Sequence, residues 1–450
     1  MSSLLITNAD CVNEGRRFEA DLLIRDGRIE AIGADLQSHQ ADRVLDAQGR
    51  LLIPGMIDDQ VHFREPGLTH KADFASESRA AVAGGITSFM EMPNSNPPTL
   101  TLDLLEAKYA RAAEVSRANY AFYLGASNDN LEAIRAVQVG QACGIKVFMG
   151  ASTGNMLVDD EATLDAIFRD SPLLIATHCE DTPMILANEA EYRARYGEDV
   201  PIAAHPLIRS EAACFKSSSF AIALARRHDA RLHVLHLTTA KELSQFDPGP
   251  VAGKRITAEA CVHHLYFDER DYAEKGALIK CNPAIKRSED REALLKALAE
   301  DRIDVVATDH APHTLEEKAQ TYFKAPAGLP LVQDALPSLL EQVHAGRLTL
   351  EQVVAKTSHA VAECFAIEER GYLREGYWAD LALIDLDAPY SVERERVIAK
   401  CGWSPFEGRC FRSRVITTLV NGAVAFEHGE QGARIDDDLR GQRLRFGRQR

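Results

Sequence analysis

The sequence predicts an α/β fold: a (β/α)8 TIM-type barrel with a small β-sandwich-like domain formed by both chain ends. Two observations carry this. Eight short apolar runs alternate with helix-type segments through the middle of the chain, and β-rich segments with tight-turn residues stand at both ends. The 450 residues accommodate both units, since a barrel takes about 250. The boundaries drawn are 1–53 and 371–450 for the composite β domain, and 54–370 for the barrel.

At the amino end LLIT and DLLIRDGRIEAIG read as strands, the second folded at Asp26-Gly27, a two-residue hairpin turn. LLIPGMIDDQVHF (51–63) opens the barrel. It is followed by GITSFMEMPN (85–94), NYAFYLGAS (119–127), IKVFMGA (145–151), LLIATHCE (173–180), RLHVLHL (231–237), ITAEACVHH (256–264) and DVVATDHAP (304–312). LDLLEAKYARAAEVSRA (102–118) and SEDREALLKALAED (288–301) are helical between them, the latter opened by Ser288 and an acidic first turn. At the carboxyl end YWADLALIDLD (377–387) and VITTLVNGAVAFEHG (415–429) return to the β pattern, with Asn421-Gly422 as a second hairpin turn. The charged tail beyond Gly429 is expected to be partly disordered.

Composition narrows the function. The chain is 46% hydrophobic and 26% charged, without an apolar run near the roughly 18 residues of a membrane span. A formal charge of −16 opposes a nucleic-acid partner, which needs basic surface. The amino end lacks a basic leader or signal-type segment, so a cytoplasmic location is expected. The nine cysteines follow no framework spacing and are read as reduced, buried and not catalytic.

In a barrel enzyme the working groups gather at strand ends. Here His62 and Arg64 close strand 1, Asn94 strand 2, His178 strand 5, His236 strand 6, and Asp309, His310 and His313 strand 8, while Lys146 lies within strand 4. A lone strand-end histidine is usually a hydrogen-bonded structural residue; several at one rim are a different matter. His62, His178, His236 and Asp309 offer imidazole and carboxylate ligands suited to zinc. Lys146 has two readings: a salt-bridge or snorkelling lysine, or a buried amine that takes up carbon dioxide as a bridging carbamate.

These motifs carry a family resemblance. PGMIDDQVHFREPG, GGITSFMEMPN, KVFMGASTG, ATHCED, HVLHLTTA, EACVHHL, NPAIK, ATDHAPH, APAGLP and SPFEG together resemble the dihydroorotases of the cyclic amidohydrolase superfamily, in the long form with a strand-4 lysine. FREPG with MPN points to dihydroorotase, since allantoinase-like members place asparagine at the position of Arg64 and hydantoinase-like members also lack that arginine. The resemblance implies reversible cyclisation of N-carbamoyl-L-aspartate to L-dihydroorotate in pyrimidine synthesis. It implies one or two Zn2+ per chain, with His62 and Asp309 facing one ion, His178 and His236 another, and a carboxylated Lys146 between them. Arg64, Asn94 and His313, with His62 beside them, would hold the substrate carboxylate. Asn282 and the Ala327-Gly328 backbone would line the ring. Asp309 would act as general acid and base beside metal-activated water. Homo-oligomers are common in this architecture, but no interface is read from the sequence.

Several residues are expected to stand apart. His263 and His264, as adjacent strand residues, should face opposite ways, and neither is assigned as a ligand. His233 should pack, His310 should support Asp309 from behind, and Trp378 and Trp403 should lie far from the rim. The 314–324 segment is open between a lid and an ordinary surface loop.

Two departures complicate the resemblance. Gln60 stands where the family usually has its first metal histidine, and its amide is the weaker ligand, so that half of the site should hold metal less tightly. Lys286 ends NPAIK where the family more often has arginine. Two rivals therefore stay open: a catalytically silent homologue supporting a partner enzyme, and an amidohydrolase for another cyclic imide or ureide.

Overall fold

The computed structural model describes residues 3–150, 156–429 and 432–447. The ASTG half of KVFMGASTG, including the Ala151 end of the strand-4 run, lies outside the described residues.

The amino end folds as β1 (Ser3–Asn13), β2 (Arg16–Arg25), β3 (Arg28–Gly33), β4 (Arg43–Asp46) and β5 (Leu51–Pro54). The barrel strands are β6 (Met56–Val61), β7 (Ile86–Glu91), β8 (Asn119–Phe122), β9 (Leu124–Gly125), β10 (Ile145–Phe148), β11 (Ile175–His178), β12 (Leu232–Val234), β13 (Ile256–Cys261) and β14 (Val305–Ala307). The carboxyl end supplies β15 (Leu381–Asp385), β16 (Tyr390–Ser391), β17 (Cys410–Phe411), β18 (Arg414–Val420), β19 (Ala423–Gly429) and β20 (Gly432–Ile435).

β6, β7 and β8 pair in parallel, as do β9 through β14 in sequence order. Only Tyr123 separates β8 from β9, so these are two halves of the third barrel strand. The barrel closes where Val61 bridges His310 in parallel and the His62 amide donates to the His310 carbonyl at 2.7 Å. The result is the expected (β/α)8 barrel, with helices such as Phe74–Ala83, Leu102–Val115 and Ser288–Ala299 between strands. The last begins one residue past its cap at Arg287, so Ser288 is its first helical residue rather than the cap.

The chain ends join in one sheet, in the order β20-β19-β18-β15-β5-β1-β2-β3 with β4 beside β1. β15 lies antiparallel to β5, with Leu381 opposite Pro54 and Ile384 opposite Leu51. Both predicted hairpins form. Asp26 and Gly27 have φ of 50° and 82°, and Asn421 and Gly422 have 51° and 77°, the left-handed pair that a two-residue turn requires. The two turns also touch: a Cβ on Gly422 would lie 2.5 Å from Gly27 Cα.

The tail departs from expectation. Gly432–Ile435 pairs with β19, and beyond it the Tyr120 amide donates to Gln442 O at 3.0 Å while the Leu444 amide donates to Tyr120 O at 2.9 Å. Leu444 and Phe446 are buried against Tyr123 and Phe365, so a few spaced apolar anchors order a segment whose composition is polar. Among the described residues no helix is long and apolar enough to cross a membrane.

One buried ion pair ties a helix to the barrel. Lys108 donates to Glu91 at the end of β7 and to Met92 O, while its ammonium lies 5.0 Å from the Phe122 ring centroid. Burial pushes the Glu91 carboxyl up to about 7, with Lys108 opposing that rise. Removing the lysine leaves a buried carboxylate uncompensated, so Lys108→Met should lose about 3–5 kcal/mol in urea unfolding. The folded carboxyl pKa lies above the unfolded value, so this group's contribution falls as pH rises through the folded value. Without Lys108 the carboxyl rises further, so the variant goes on losing stability above the pH at which the wild type levels off; its deficit should be larger at pH 8 than at pH 6, and an equal deficit at both would contradict this account.

Candidate metal centre and anion cradle

The carboxyl ends of the barrel strands open on a cavity of about 280 Å3. It is lined by Gln60, His62, Arg64, Asn94, Lys146, His178, His236, Asn282, Asp309, His313, Ala327 and Gly328, together with Leu68, Lys71, Phe148, Ala311 and Pro326. Every position proposed from sequence thus reaches one cavity. Arg64, His236 and Asp309 hold φ of 68°, 40° and 52°, values uncommon for non-glycine residues and frequent at functional positions.

One half gathers candidate metal ligands. His178 directs Nε2 to Glu180 Oε2 at 2.9 Å and Nδ1 to His236 Nε2 at 3.0 Å. Although burial opposes it, Arg209 and His178 hold the Glu180 carboxyl down to about 2. Glu180 therefore keeps the proton on His178 Nε2 and turns the Nδ1 lone pair toward His236, the arrangement by which a carboxylate orients a metal-binding imidazole. His236 Nδ1 is buried without a hydrogen-bond partner, and burial, with His178 and Lys146 nearby, keeps this imidazole neutral. Burial also lowers Lys146 to about 8, against Asp309 and Glu259. Across the cavity Asp309 Oδ1 accepts from Gln60 Nε2 at 3.1 Å and lies 3.1 Å from His62 Nε2, and His62 Nδ1 lies 2.6 Å from Asn94 Oδ1. Neutral imidazoles, a depressed lysine and a carboxylate converging in this way fit a divalent cation.

The other half is basic. Arg64, pulled down to about 10 by burial, donates through Nε to Pro312 O. Lys71 Nζ donates to His313 Nδ1 at 3.0 Å, which leaves the His313 proton on Nε2, directed at Ala327 O, also at 3.0 Å. Burial, Arg64 and Lys71 together keep His313 neutral. Arg64 Nη2 lies 3.0 Å from His313 Nε2, and among the described residues no carboxylate pairs with this guanidinium, which leaves it able to take an anion. Gly328, with φ of 142°, sits where a Cβ would come 2.3 Å from Ala311 O, so its backbone can approach the cavity only as glycine.

Residues 51–425 match the model of the Amidohydrolase family. The chain belongs to that family. A dihydroorotase of Halobacterium salinarum is 35% identical, the match covering 90% of this chain and 93% of the relative. An allantoinase of Solibacter usitatus is 31% identical over 96% and 95% of the two chains. Among solved structures, L-hydantoinase from Arthrobacter aurescens superposes with a TM-score of 0.92 at 28% identity, covering 99% and 100% of the two chains. This amidohydrolase is therefore a hydrolase of small molecules, and its relatives differ in the ring named.

Several sequence expectations for the amidohydrolase need correction. β13 ends at Cys261, and His263 and His264 open a short helix, Val262–Tyr266, so strand alternation does not separate them. Trp403 is not remote, because its indole donates to the His313 carbonyl at 2.8 Å. His233 is buried as expected, but against charge: Nε2 lies 3.2 Å from Asp59 Oδ2 and 3.7 Å from Glu259 Oε2. Lys286 does not line the cavity and donates to Ala284 O. His310 supports the rim from behind, between Glu77 Oε2 and the Leu331 amide.

Sequence reasoning missed Lys71, Glu180 and Lys318. Only Glu180 carried a signal, two residues after a strand-end histidine. Lys318, in the 314–324 segment, is buried and donates to Lys280 O, Pro326 O and Gly328 O at 2.9–3.0 Å, anchoring the loop that carries Ala327 and Gly328. Lys318→Met should leave the Pro326 and Gly328 carbonyls without their donor, Lys280 O keeping only the Gly328 amide, and raise amide exchange in 325–329 at least about tenfold, roughly 1.4 kcal/mol of local stability. Unchanged exchange would show that the loop is held by other contacts.

Proposed function

We propose that this amidohydrolase is a cytoplasmic dihydroorotase, interconverting L-dihydroorotate and N-carbamoyl-L-aspartate in pyrimidine synthesis. The observation that carries the reading is the free face of Arg64 in a wall shared with His313 and Lys71. Dihydroorotate bears a carboxylate on its ring, whereas hydantoin and allantoin do not. A buried guanidinium without an internal anion at that face suits the former.

Arg64 forks onto the substrate carboxylate, Asn94 presents its amide, and the neutral His313 is held against it by Lys71 and Ala327 O. Asn282 and the Ala327-Gly328 backbone face the pyrimidine ring. His178, His236, carboxylated Lys146, His62 and Asp309 would hold one or two Zn2+, which supply a Lewis acid that acidifies water and polarises the ring carbonyl. Asp309, oriented by His62 and Gln60, takes a proton from the attacking water. As the carbon–oxygen bond forms and the ring carbon–nitrogen bond breaks, it passes that proton to the leaving nitrogen. Ring closure is the reverse. Gln60 favours one variation: with an amide in place of an imidazole, the His62–Asp309 half binds metal more weakly than the His178–His236 half.

The purified protein should open L-dihydroorotate, lose turnover to a chelator and regain it with zinc. Arg64→Lys should lower kcat/KM about a hundredfold, or ~2.7 kcal/mol, chiefly through KM. A preference for allantoin or hydantoin over dihydroorotate would reject this substrate, and a folded protein inactive at every zinc level would favour the silent homologue.

The lysine gives a pH test. Only the neutral amine takes up carbon dioxide, and burial places Lys146 at about 8. Reactivation of chelated, decarboxylated protein at fixed dissolved carbon dioxide and excess zinc should accelerate as pH rises through about 8 and level off above it. A rate independent of pH between 6.5 and 9 would mean that Lys146 is not the carbamylated group.

A further inference from the structure

Behind the cavity wall lies a cluster that the proposed reaction does not use. Cys261 ends β13, and His263 and His264 occupy the first turn of the following helix. This strand-to-helix turn brings a sulfur and two imidazole nitrogens within 4.8 Å of one another, and all three residues are buried. None of them lines the rim cavity.

The hydrogen bonding points to an absent partner. Nδ1 of His264 is buried without a hydrogen-bond partner, and the ring nitrogens of His263 make no well-formed bond, the Thr308 backbone being the one polar group close to them. Leaving these nitrogens together is expensive unless something occupies the space between them. His264 Nε2 lies 3.1 Å from Pro283 O, an acceptor, so its proton is on Nε2 and its Nδ1 lone pair is free. A backbone carbonyl fixing the distal nitrogen is how metal-binding histidines are oriented. The helix also starts without a side-chain cap at Cys261.

Gln60 forms the shared wall. Its Nε2 donates to Asp309, which turns Oε1 toward Cys261 Sγ, 3.9 Å away. The Cys261 thiol in turn lies 3.3 Å from Glu259 Oε1. We propose that Cys261, His263 and His264 form a buried structural site for one zinc-class divalent cation, separate from the rim, with Gln60 Oε1 at its open side. One sulfur and two imidazoles suit zinc over magnesium or calcium. With bonds of about 2.0–2.3 Å, one ion needs the three ligands to close in by roughly an ångström. Binding converts the thiol to thiolate, and its proton passes to Glu259 and on to solvent.

The rim ligands are nitrogen and oxygen only, so a sulfur-specific signal separates the two sites. The full chain is loaded with Co2+, and metal content and the near-ultraviolet spectrum are measured together. A thiolate-to-cobalt charge-transfer band is expected. Cys261→Ser should abolish the band and remove about one equivalent of metal while the protein keeps its remaining cobalt. His263→Gln, which preserves the thiol, should also lose or shift the band, so the test survives if the cysteine variant fails to fold. Absence of the band from folded, metal-saturated wild type, or a band unchanged in both variants, would overturn the site. Neither outcome depends on dihydroorotate turnover, so the proposal stands or falls apart from the substrate assignment.

Discussion

The site depends on one seam, where the first barrel strand meets the last. Asp58, wholly buried in β6, accepts from the Thr308 amide at 3.1 Å and from its hydroxyl at 2.6 Å. Burial pushes the Asp58 carboxyl well up, and the two bonds from Thr308 oppose that rise. Next along the seam the His62 amide reaches the His310 carbonyl. These contacts join segments 250 residues apart and set Asp309 opposite Gln60 and His62. Shifting the seam by one residue would turn Asp309 away from the cavity and bring in His310, which is already committed to Glu77.

The cavity built on that seam keeps two electrostatic regimes apart. On the ligand side, burial makes His178 and His236 neutral, and Glu180 fixes which nitrogen carries a proton. On the other side Arg64 and Lys71 carry positive charge, Lys71 paired with Glu317 Oε1 at 3.1 Å, with His313 as a neutral spacer whose Nδ1 takes the lysine and whose Nε2 faces a carbonyl. A protonated His313 would set three cations together in a partly desolvated wall; kept neutral, it passes orientation without adding repulsion. Trp403, donating to the His313 carbonyl, ties the same residue to the carboxyl-terminal part of the chain.

Much of this could be read from sequence because barrel geometry turns linear position into spatial position. A polar residue at the end of an apolar run in an alternating β/α chain falls at the rim wherever the run occurs, so His62, His178, His236 and Asp309 were identifiable without any contact information. The hairpins were legible for a local reason, since Asp-Gly and Asn-Gly supply the two left-handed residues of the turn. What stayed hidden is non-local. Lys71 lies in a polar loop and meets a histidine 242 residues away, while Lys318 ends a four-residue helix and reaches only backbone carbonyls, which leave no residue-type signal in the sequence. Trp403 looked remote because sequence distance was taken for spatial distance. His263 and His264 were misread because a strand that ends at Cys261 and a strand that continues share the same apolar pattern, and only the backbone turn distinguishes them.

Gln60 is best understood by its two faces. A metal-bound imidazole spends its lone pair on the ion and has only a distal N–H left to give. A primary amide offers donor and acceptor from the same end of the side chain. Here the donor goes to Asp309 and the acceptor faces Cys261, so position 60 links the rim carboxylate to the cluster behind it. In the metal site proposed here the amide would be a weaker ligand than an imidazole, while its Nε2 supplies a hydrogen bond that helps hold Asp309. The opposite half makes no contact with position 60 through its hydrogen bonds, because Glu180 orients His178 and His178 meets His236. On the proposed reading the centre would be asymmetric: one side organised by its own protein contacts, the other by an amide that holds Asp309 in place as the proposed proton carrier whether or not that half is filled.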